Sequence, residues 1–472
     1  MKSIEDKFYF LLGFYKKMPD WAKRSFTYPF TILPRSFYLG NYYKYFYEQI
    51  NKIELLDKYK LEEFQFLKLK DIIKHSFETV PYYKKKWDEL GINISQIQNF
   101  EDFKKNIPFI EKKDIQKNPE LFISNKYSKT EMFSVTTGGS TGTPLKLYFL
   151  KGYTRSAYRA HWDYLWGLHG YKPGDRYARL RGDFIGKNKI YSFDPYRNVL
   201  ILSSFALKED NADKYLELLK KFKIKYLYGY PASIINLINY SQQSDGRRIG
   251  LTGVIFASEN VYEYQVKKVK NFFNIDIFIK GYGLGEEVAV AVNQPDKNDY
   301  MFLPTHSYVE FHTNKNIPFN NDQNIKEIVG TSFVNPVMPL IRYRTNDFAL
   351  IPSDNGSRIA DIRPFLRVND IIGRAQDVAI GKSGERITLT ALIFGRHSEY
   401  FSHIYNFQII NIQAGKLIVN VVPKLTFKTV HKNEIISQLS EKEGMPFETD
   451  VQIVNDIEHS RIGKTRFLIR KF

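Results

Sequence analysis

The chain has 472 residues, of which 43% are hydrophobic, and its formal net charge is +18 at pH 7. Because one hydrophobic core rarely serves so long a chain, the length predicts two or three domains. Cysteine is absent from the sequence, which excludes disulfides, thiolate metal sites and a cysteine nucleophile.

The positive charge has three candidate explanations. Nucleic-acid binding is one, but the lysines are scattered among acidic residues and no recognition motif of the common DNA- or RNA-binding modules occurs. A lysine-rich proteome is the second explanation, which we favour, and attraction of phosphorylated substrates such as ATP or CoA is the third. We therefore predict no nucleic-acid partner.

Residues 1–70 predict a helical extension that is rich in aromatic and basic side chains. Aromatic residues alternate with lysine and arginine over residues 8–30, and the aromatic pattern continues over residues 42–47. Rings beside lysines suit a membrane interface, whereas helices that pack on the main domain through their aromatic faces are the alternative that we favour. The sequence has no convincing signal peptide and no run that approaches the about 20 apolar residues of a transmembrane helix. We predict a cytoplasmic protein, with peripheral membrane contact through residues 1–50 as an open alternative.

The spacing of apolar residues predicts the elements that follow. Residues 41–79 favour helix, which Pro81 should end, and short helices are predicted at 100–103 and 115–122. The predicted elements of the middle of the chain are a helix at 153–167, a strand at 199–202, a helix at 211–222, a strand at 226–229, a helix at 231–241, a strand at 253–257, a helix at 263–273 and a strand at 276–281. This alternation predicts an α/β fold with parallel βαβ units.

Residues 134–144 are the most informative stretch, and they read Ser-Val-Thr-Thr-Gly-Gly-Ser-Thr-Gly-Thr-Pro. Strands are predicted at 130–135 and 145–150, so the glycines would close a strand–loop–strand turn. A loop of such small residues exposes backbone N–H groups and hydroxyls and can surround a phosphate, although the lysine of a Walker A loop is missing. A plain glycine hairpin is the alternative interpretation.

Five segments, in order along the chain, resemble the signatures of adenylate-forming enzymes, the superfamily of acyl-CoA ligases, luciferases and peptide-synthetase adenylation domains. The segments are 136–144 (Thr-Thr-Gly-Gly-Ser-Thr-Gly-Thr-Pro), 282–286 (Tyr-Gly-Leu-Gly-Glu), 342–347 (Arg-Tyr-Arg-Thr-Asn-Asp), 373–377 (Gly-Arg-Ala-Gln-Asp) and 461–464 (Arg-Ile-Gly-Lys). Residues 80–83, 108–115 and 229–233 resemble the branch that contains phenylacetate–CoA ligase, coenzyme F390 synthetase and the CapK proteins of capsule biosynthesis. The CapK group looks closest, and the resemblance covers residues from about 70 to 472.

The resemblance implies a multi-domain α/β protein. A large ATP- and acid-binding domain would span residues 71–372, followed by a hinge at 373–377 and a small, mobile α+β lid domain over 378–472. Within the large domain, residues 325–332 and 340–351 predict antiparallel strands of a small barrel-like part.

Phosphate binding is assigned by the resemblance to the loop of small residues. The residues that it implies there are Thr136, Thr137, Gly138, Gly139, Ser140, Thr141, Gly142 and Thr143.

Glu286 is implied as a catalytic residue and Mg²⁺ ligand, since magnesium prefers one or two carboxylates plus phosphate oxygens. Spacing alone favours a solvated glutamate pair with Glu287. Tyr282 and Gly283 are implied at the nucleotide, where Tyr282 either stacks on adenine or belongs to the core. Gly285 departs from the family pattern, which has Thr or Ser there, so a hydrogen bond to the α-phosphate must come from elsewhere.

Asp347 is implied as the ribose ligand, because a carboxylate accepts hydrogen bonds from both vicinal hydroxyls. Ser258 and Glu259 are implied to line the adenine pocket. Lys464 is implied as the catalytic lysine, because its ammonium can reach the α-phosphate and the acyl carboxylate together.

Arg374 is implied at the cofactor site, next to Asp377 in the hinge. Family members swing the C-terminal domain between adenylation and transfer, which requires few backbone torsions to change.

The implied function is ATP-dependent activation of a carboxylic acid as an acyl-adenylate, followed by transfer to CoA, with ATP and Mg²⁺ as cofactors. One alternative is transfer to an amine or hydroxyl of a sugar-linked, surface-polysaccharide precursor, and another is a non-catalytic membrane-surface scaffold in envelope polysaccharide assembly. The acid is not identified. Phe256, Tyr262 and Tyr282 either line its pocket or belong to the core.

Overall fold

A computed structural model describes residues 18, 22, 35–137, 145–183, 185, 186, 189–195, 197–295, 297, 299–313, 324–352, 365–374, 378–384, 386–388, 400, 403–439, 447–459 and 465–472.

Helices and strands alternate through the middle of the chain, as predicted. The described α-helices are α1 (Arg35–Ile53), α2 (Lys58–Thr79), α3 (Pro81–Glu89), α4 (Phe100–Asn106), α5 (Lys112–Lys117), α6 (Tyr153–Gly167), α7 (Ala212–Lys221), α8 (Pro231–Tyr240), α9 (Glu263–Phe273) and α10 (Thr429–Gln438). Short 3₁₀ helices lie at Ile94–Gln96, Pro119–Phe122, Lys129–Glu131 and Arg247–Ile249.

The described strands form five sheets. They are β1 (Met132–Thr136), β2 (Lys146–Leu150), β3 (Tyr177–Arg181), β4 (Tyr191–Asp194), β5 (Val199–Ser203), β6 (Tyr226–Gly229), β7 (Gly253–Ala257), β8 (Ile277–Gly283), β9 (Val290–Asn293), β10 (Tyr300–Phe302), β11 (Ser307–His312), β12 (Ile325–Ser332), β13 (Tyr343–Leu350), β14 (Arg367–Val368), β15 (Asp370–Arg374), β16 (Val378–Ile380), β17 (Arg386–Thr388), β18 (Ile404–Gln413), β19 (Lys416–Pro423), β20 (Glu448–Ile453) and β21 (Leu468–Arg470).

The predicted helical run 41–79 is two helices. Asp57 begins α2, where its side chain accepts a hydrogen bond from the Lys60 backbone N–H at 2.9 Å, the usual stabilisation of a helix start. The run ends where the sequence predicted, because Pro81 occupies the first position of α3 and Val80 before it is extended.

The described part of the N-terminal extension packs on the main body of the protein. Helix α1 buries Phe46 and Ile50 against α6, and the Tyr43 hydroxyl donates to Asp163 at 3.0 Å. Asp163 is fully buried and also pairs with Arg159 at 2.8 Å, so its charge is compensated on α6 itself. The aromatic face of α1 is therefore a packing surface.

A nine-stranded mixed sheet forms the centre of the large domain, in the order β14-β10-β9-β8-β7-β6-β3-β5-β4. Strands β8, β7, β6, β3 and β5 are parallel, which confirms the predicted βαβ units. Side chains of one strand alternate between two layers: Leu227 packs with α7–α9, whereas Tyr226 and Tyr228 pack with α6. The carboxyl ends of the parallel strands meet at one edge, where α/β sheets usually bind ligands.

Two four-stranded sheets and the two-stranded pairs β1-β2 and β16-β17 complete the described fold. Strands β11, β12, β13 and β15 form a four-stranded antiparallel sheet, the observed counterpart of the predicted barrel-like part. Strands β20, β19, β18 and β21 form a second sheet, and α10 packs beside β20. The predicted α/β class with a C-terminal α+β unit is confirmed. In the described part of the chain, every helix is too short or too polar to span a bilayer.

Candidate active site

Thr136 and Thr137 stand at the base of the predicted phosphate hairpin. Strands β1 and β2 pair antiparallel, with Thr136 opposite Lys146. The Thr137 backbone N–H donates to the Leu145 carbonyl at 2.8 Å, and the Thr137 hydroxyl oxygen accepts from the Leu145 N–H at 3.0 Å. That hydroxyl keeps its proton for another acceptor. The predicted strand–loop–strand turn is confirmed at its base, whereas the loop residues Gly138, Gly139, Ser140, Thr141, Gly142 and Thr143 lie outside the described residues.

The hairpin base meets the segment that follows β8. A Cβ atom built on Gly285 would lie 3.3 Å from Cγ2 of Thr137, a contact tighter than most side chains make. Glycine at 285 therefore lets the 282–286 segment approach the 136–144 segment closely. The family pattern has a hydroxyl-bearing side chain at this position. Gly283, two residues earlier at the end of β8, also permits a close approach, since a Cβ there would lie 2.8 Å from the Trp162 ring.

Glu286 and Glu287 are each 8% exposed, so the alternative of a solvated glutamate pair is wrong. The Tyr343 hydroxyl donates to Glu286 Oε1 at 3.4 Å. Glu287 has a left-handed backbone with φ of 55°, and its Oε2 lies 3.0 Å from Nε2 of His306. The two glutamates consequently have different partners.

Burial sets the charge of the Glu287–His306 pair. It raises the pKa of Glu287 to about 8 and lowers the pKa of His306 to about 3. Burial therefore favours the neutral form of each group, and a hydrogen bond joins them. His161 packs edge-on against His306 with ring centroids 5.2 Å apart, and burial lowers its pKa to about 3 as well. Sequence reasoning missed this buried network, because only folding brings the three side chains together.

Glu286 fits the chemistry of a magnesium ligand. Among the residues that the structure describes, no group of three or more His, Asp or Glu side chains is arranged to hold a metal ion. A single buried carboxylate beside a phosphate hairpin is nevertheless suitable for Mg²⁺, which takes most of its other ligands from phosphates and water.

Tyr282 and Asp347 are brought into direct contact. The Tyr282 hydroxyl donates to Asp347 Oδ2 at 3.0 Å, and Asp347 is only 5% exposed. Asn346 has φ of 58°, a left-handed turn that orders the backbone before Asp347, whose N–H donates to the Thr345 hydroxyl at 3.0 Å. In the sheet, Asp347 stands opposite Arg374, whose side chain lies outside the described residues.

Glu259 connects the large domain to the C-terminal segment. Its two carboxylate oxygens accept hydrogen bonds from the Ala232 N–H at 3.2 Å and from the Thr465 N–H at 3.1 Å. Ser258, the preceding residue, has φ of 68° and turns the chain after β7. The sequence placed Glu259 at the adenine pocket and gave no signal of a contact with Thr465.

Further contacts surround this bridge. Tyr262 on the large domain lies edge-on to Phe467, with ring centroids 6.0 Å apart, and the Asn239 amide donates to the Tyr405 carbonyl at 2.8 Å. Tyr262 therefore packs against the C-terminal unit, and Phe256 is fully buried in the helix–sheet core. Of the three side chains considered for the acid pocket, these two belong to packing contacts.

Known proteins show similarity over the whole described fold. Residues 380–471 match the CapK C-terminal domain family. The chain is 24% identical over 463 residues to Protein CapK of Staphylococcus aureus, an alignment that covers 93% of this chain and 95% of that protein. It is 24% identical over 350 residues to the phenylacetate-coenzyme A ligase of Aromatoleum evansii, covering 70% and 74% of the two chains.

The chain is thus similar to CapK and to phenylacetate–CoA ligases, the branch that its sequence motifs resemble. A solved structure, 2-hydroxyisobutyryl-CoA ligase in a postadenylation state, has the same fold, with a TM-score of 0.67 and 17% identity. The match covers 88% of this chain and 90% of that one, so the fold is shared across both the large and the C-terminal parts.

The adenylate-forming signatures are only partly described. Thr137, Gly285, Tyr282 and Asp347 come together at the edge of the central sheet, as given above. Asp377 of the hinge and Lys464 of the C-terminal signature lie outside the described residues. Their assigned roles, like the domain boundaries, stay predictions.

Proposed function

We propose that this protein is an ATP-dependent ligase that activates a carboxylic acid as an acyl-adenylate and then transfers the acyl group to CoA. The observation that carries the proposal is the meeting of the Thr137 hairpin base with the Gly285 and Glu286 segment, next to the Tyr282–Asp347 pair. A hydroxyl-rich phosphate loop, a carboxylate for a metal and a ribose ligand are then neighbours. The similarity to CapK and to phenylacetate–CoA ligases supports the same reaction.

The first step has a clear electrostatic requirement. A carboxylate oxygen of the acid forms a bond to the α-phosphorus of ATP, and the bond from that phosphorus to the bridging oxygen breaks, releasing pyrophosphate. Because both reactants are negative, the site must offset the charge that develops. Bound Mg²⁺, for which Glu286 is the proposed ligand, would supply part of this neutralisation. Lys464 is the proposed cation at the reacting atoms, on the strength of its motif.

The nucleotide is held by the remaining residues in this proposal. Asp347 accepts the ribose hydroxyls, and its hydrogen bond from Tyr282 fixes the orientation of the carboxylate. Thr137 offers its hydroxyl proton to a phosphate oxygen, because its oxygen is already engaged with Leu145. Gly285 contributes no hydroxyl, so the hairpin hydroxyls would take over that contact.

The acceptor in the second step is CoA in the leading proposal. The near full-length similarity to Protein CapK favours a second candidate, transfer to an amine or hydroxyl of a sugar-linked precursor. Both candidates share the adenylation step and differ only in the nucleophile that attacks the acyl carbonyl and displaces AMP.

Pyrophosphate release tests the proposal. The protein is incubated with ATP, Mg²⁺ and a panel of aryl, fatty, hydroxy and amino acids, and we expect acid-dependent pyrophosphate with at least one class. Product analysis then separates the acceptors, since AMP appears together with either an acyl-CoA or an acylated sugar nucleotide. Absence of acid-dependent release across the panel, combined with binding of lipid vesicles, would instead favour the scaffold alternative.

A further inference from the structure

A cluster of tyrosines and one arginine lies at the carboxyl edge of the central sheet. Arg181 is the last residue of β3, and its Nη1 donates to the Tyr228 hydroxyl at 2.5 Å. The guanidinium lies 5.5 Å from the ring centroid of Tyr228 and 5.5 Å from that of Tyr230. Tyr228 lies in β6, the strand next to β3, and Tyr230 directly follows β6. Three aromatic or cationic groups thus converge beside the nucleotide edge of the sheet.

Tyr158 lies close to this cluster, on α6. Its side chain is 42% exposed, and Arg181, Tyr228 and Glu287 are near enough to act on its charge. An exposed aromatic ring in this position can contact a bound ligand. Trp162, one turn along α6, lies 6.1 Å from Tyr158 and packs over Gly283 near the nucleotide segment. Tyr158 and Trp162 therefore connect the surroundings of Arg181 with those of the proposed ATP site.

The charge of Arg181 has no ion-pair partner of its own among the described residues. Asp183 acts on it only at longer range, because this carboxylate binds Arg179 in a bidentate pair at 2.7 and 2.9 Å. Glu287 is engaged with His306. The described contacts of this partly buried guanidinium are with phenol rings, which do not offset its charge, so an anionic ligand would stabilise it.

The position of Arg181 separates it from the reacting end of the substrate. Strand β3 is three strands from β8 in the sheet order, which corresponds to about 14 Å at about 4.8 Å per strand. The Gly285 and Glu286 segment follows β8. Arg181 and the Gly285 and Glu286 segment are therefore too far apart to contact the same carboxylate. Their separation suits contacts with the two opposite ends of one acid.

We propose that Arg181 is a specificity-determining residue that binds a second anionic group, at the end of the acid remote from the carboxylate that is activated. The substrate class is then a dianionic acid, and the chain that joins its two ends would lie against Tyr158, next to Trp162 and Tyr228. This inference rests on the proposed function and adds the chemistry of the acid. A guanidinium suits such a group because its fork donates two parallel hydrogen bonds to a carboxylate.

Matched pairs of acids test the inference: adipate against hexanoate, and 4-carboxyphenylacetate against phenylacetate. Acid-dependent ATP–pyrophosphate exchange gives kcat/KM for each acid, and tryptophan fluorescence gives binding without turnover. We expect the wild type to prefer the dianionic member of at least one pair. Arg181→Met should lower that preference about 10- to 100-fold, the size of one charged hydrogen-bonded contact. Arg181→Lys should retain part of it, and the exposed Arg248→Met should retain all of it.

The outcomes separate the two proposals. Preference for the monoanionic acids, or an equal loss for both members of a pair in Arg181→Met, would overturn the inference and leave adenylation standing. No exchange with any acid, together with a dianion-specific fluorescence change that requires Arg181, would support the inference and refute the proposed reaction. No exchange and no fluorescence change with any acid would refute both the inference about Arg181 and the proposed reaction. Should Arg181→Met fail to fold by circular dichroism, Arg181→Lys decides the same comparison.

Discussion

The hydrogen bond from the Thr465 N–H to the Glu259 carboxylate predicts that Glu259 stabilises the domain arrangement used for adenylation, relative to the one used for acyl transfer. The change is Glu259→Ala, which removes the acceptors for the Ala232 and Thr465 N–H groups at 3.2 and 3.1 Å. Of the two bonds that Glu259 accepts here, the one from Ala232 lies within the large domain and the one from Thr465 reaches the C-terminal segment, so the Thr465 bond is the one lost when that segment swings away. The variant therefore weakens one arrangement of the two domains without altering the other.

The magnitude follows from the charge and exposure of the bond. A hydrogen bond to a charged acceptor contributes about 1.5–3 kcal/mol, and partial exposure of Glu259 places this one near the lower limit. A shift of about 1.4 kcal/mol is tenfold in an equilibrium constant, so we expect pyrophosphate release to slow by up to about tenfold. Glu259→Gln keeps one acceptor oxygen without the charge and should fall between the variant and the wild type.

Half-reactions distinguish this role from nucleotide binding. Acid-dependent pyrophosphate release reports the first step, and acyl transfer to CoA from supplied acyl-adenylate reports the second. We expect Glu259→Ala to slow the first step alone, with unchanged affinity for ATP. Equal slowing of both steps, or a loss of ATP affinity, would refute the bridge and return Glu259 to the adenine pocket that the sequence suggested.

Three further predictions concern other residues. Lys464→Ala should lower acid-dependent pyrophosphate release by orders of magnitude while ATP affinity, measured by calorimetry, is retained; comparable rates would contradict its assignment. Asp347→Ala should raise KM for ATP about 10- to 100-fold, and Tyr282→Phe, which removes only the hydroxyl at 3.0 Å, should raise it less; the reverse order would argue against a ribose ligand. Burial, together with the nearby charge of a second lysine, lowers the pKa of Lys268 from 10.5 to about 8. As the pH rises, the folded state therefore loses this proton before the unfolded state does. The free energy of unfolding consequently increases between pH 8 and pH 10.5. Lys268→Met should flatten that rise and add about 1–2 kcal/mol to the free energy of unfolding at pH 7, whereas the exposed control Lys126→Met should do neither in urea titrations.

Local sequence patterns predicted the middle of the fold well. Strand Gly253–Ala257 and helix Glu263–Phe273 fall on the predicted residues, because an apolar run and an amphipathic period each end at clear polar boundaries. The break before Lys58 was missed, since leucines continue the apolar spacing through it and the capping by Asp57 is a local event.

Contacts between distant residues were beyond the sequence. The Tyr282–Asp347 pair was anticipated only as two separate motif members, and its hydrogen bond follows from strands that pair in different sheets. The neutral pair of Glu287 and His306 and the bridge from Glu259 depend on burial and tertiary approach, which periodicity does not encode.

Helix Arg35–Ile53 has a bearing on attempts to shorten or transplant this protein. The Tyr43 hydroxyl of this helix donates to Asp163 on helix Tyr153–Gly167. Asp163 lies next to the face of that helix on which Tyr158 and Trp162 stand, one turn apart. Trimming helix Arg35–Ile53 would loosen the packing behind the face of Tyr153–Gly167 that contacts the acid in our proposal. We therefore expect changes in this helix to alter which acids are accepted, even where none of its side chains contacts the acid.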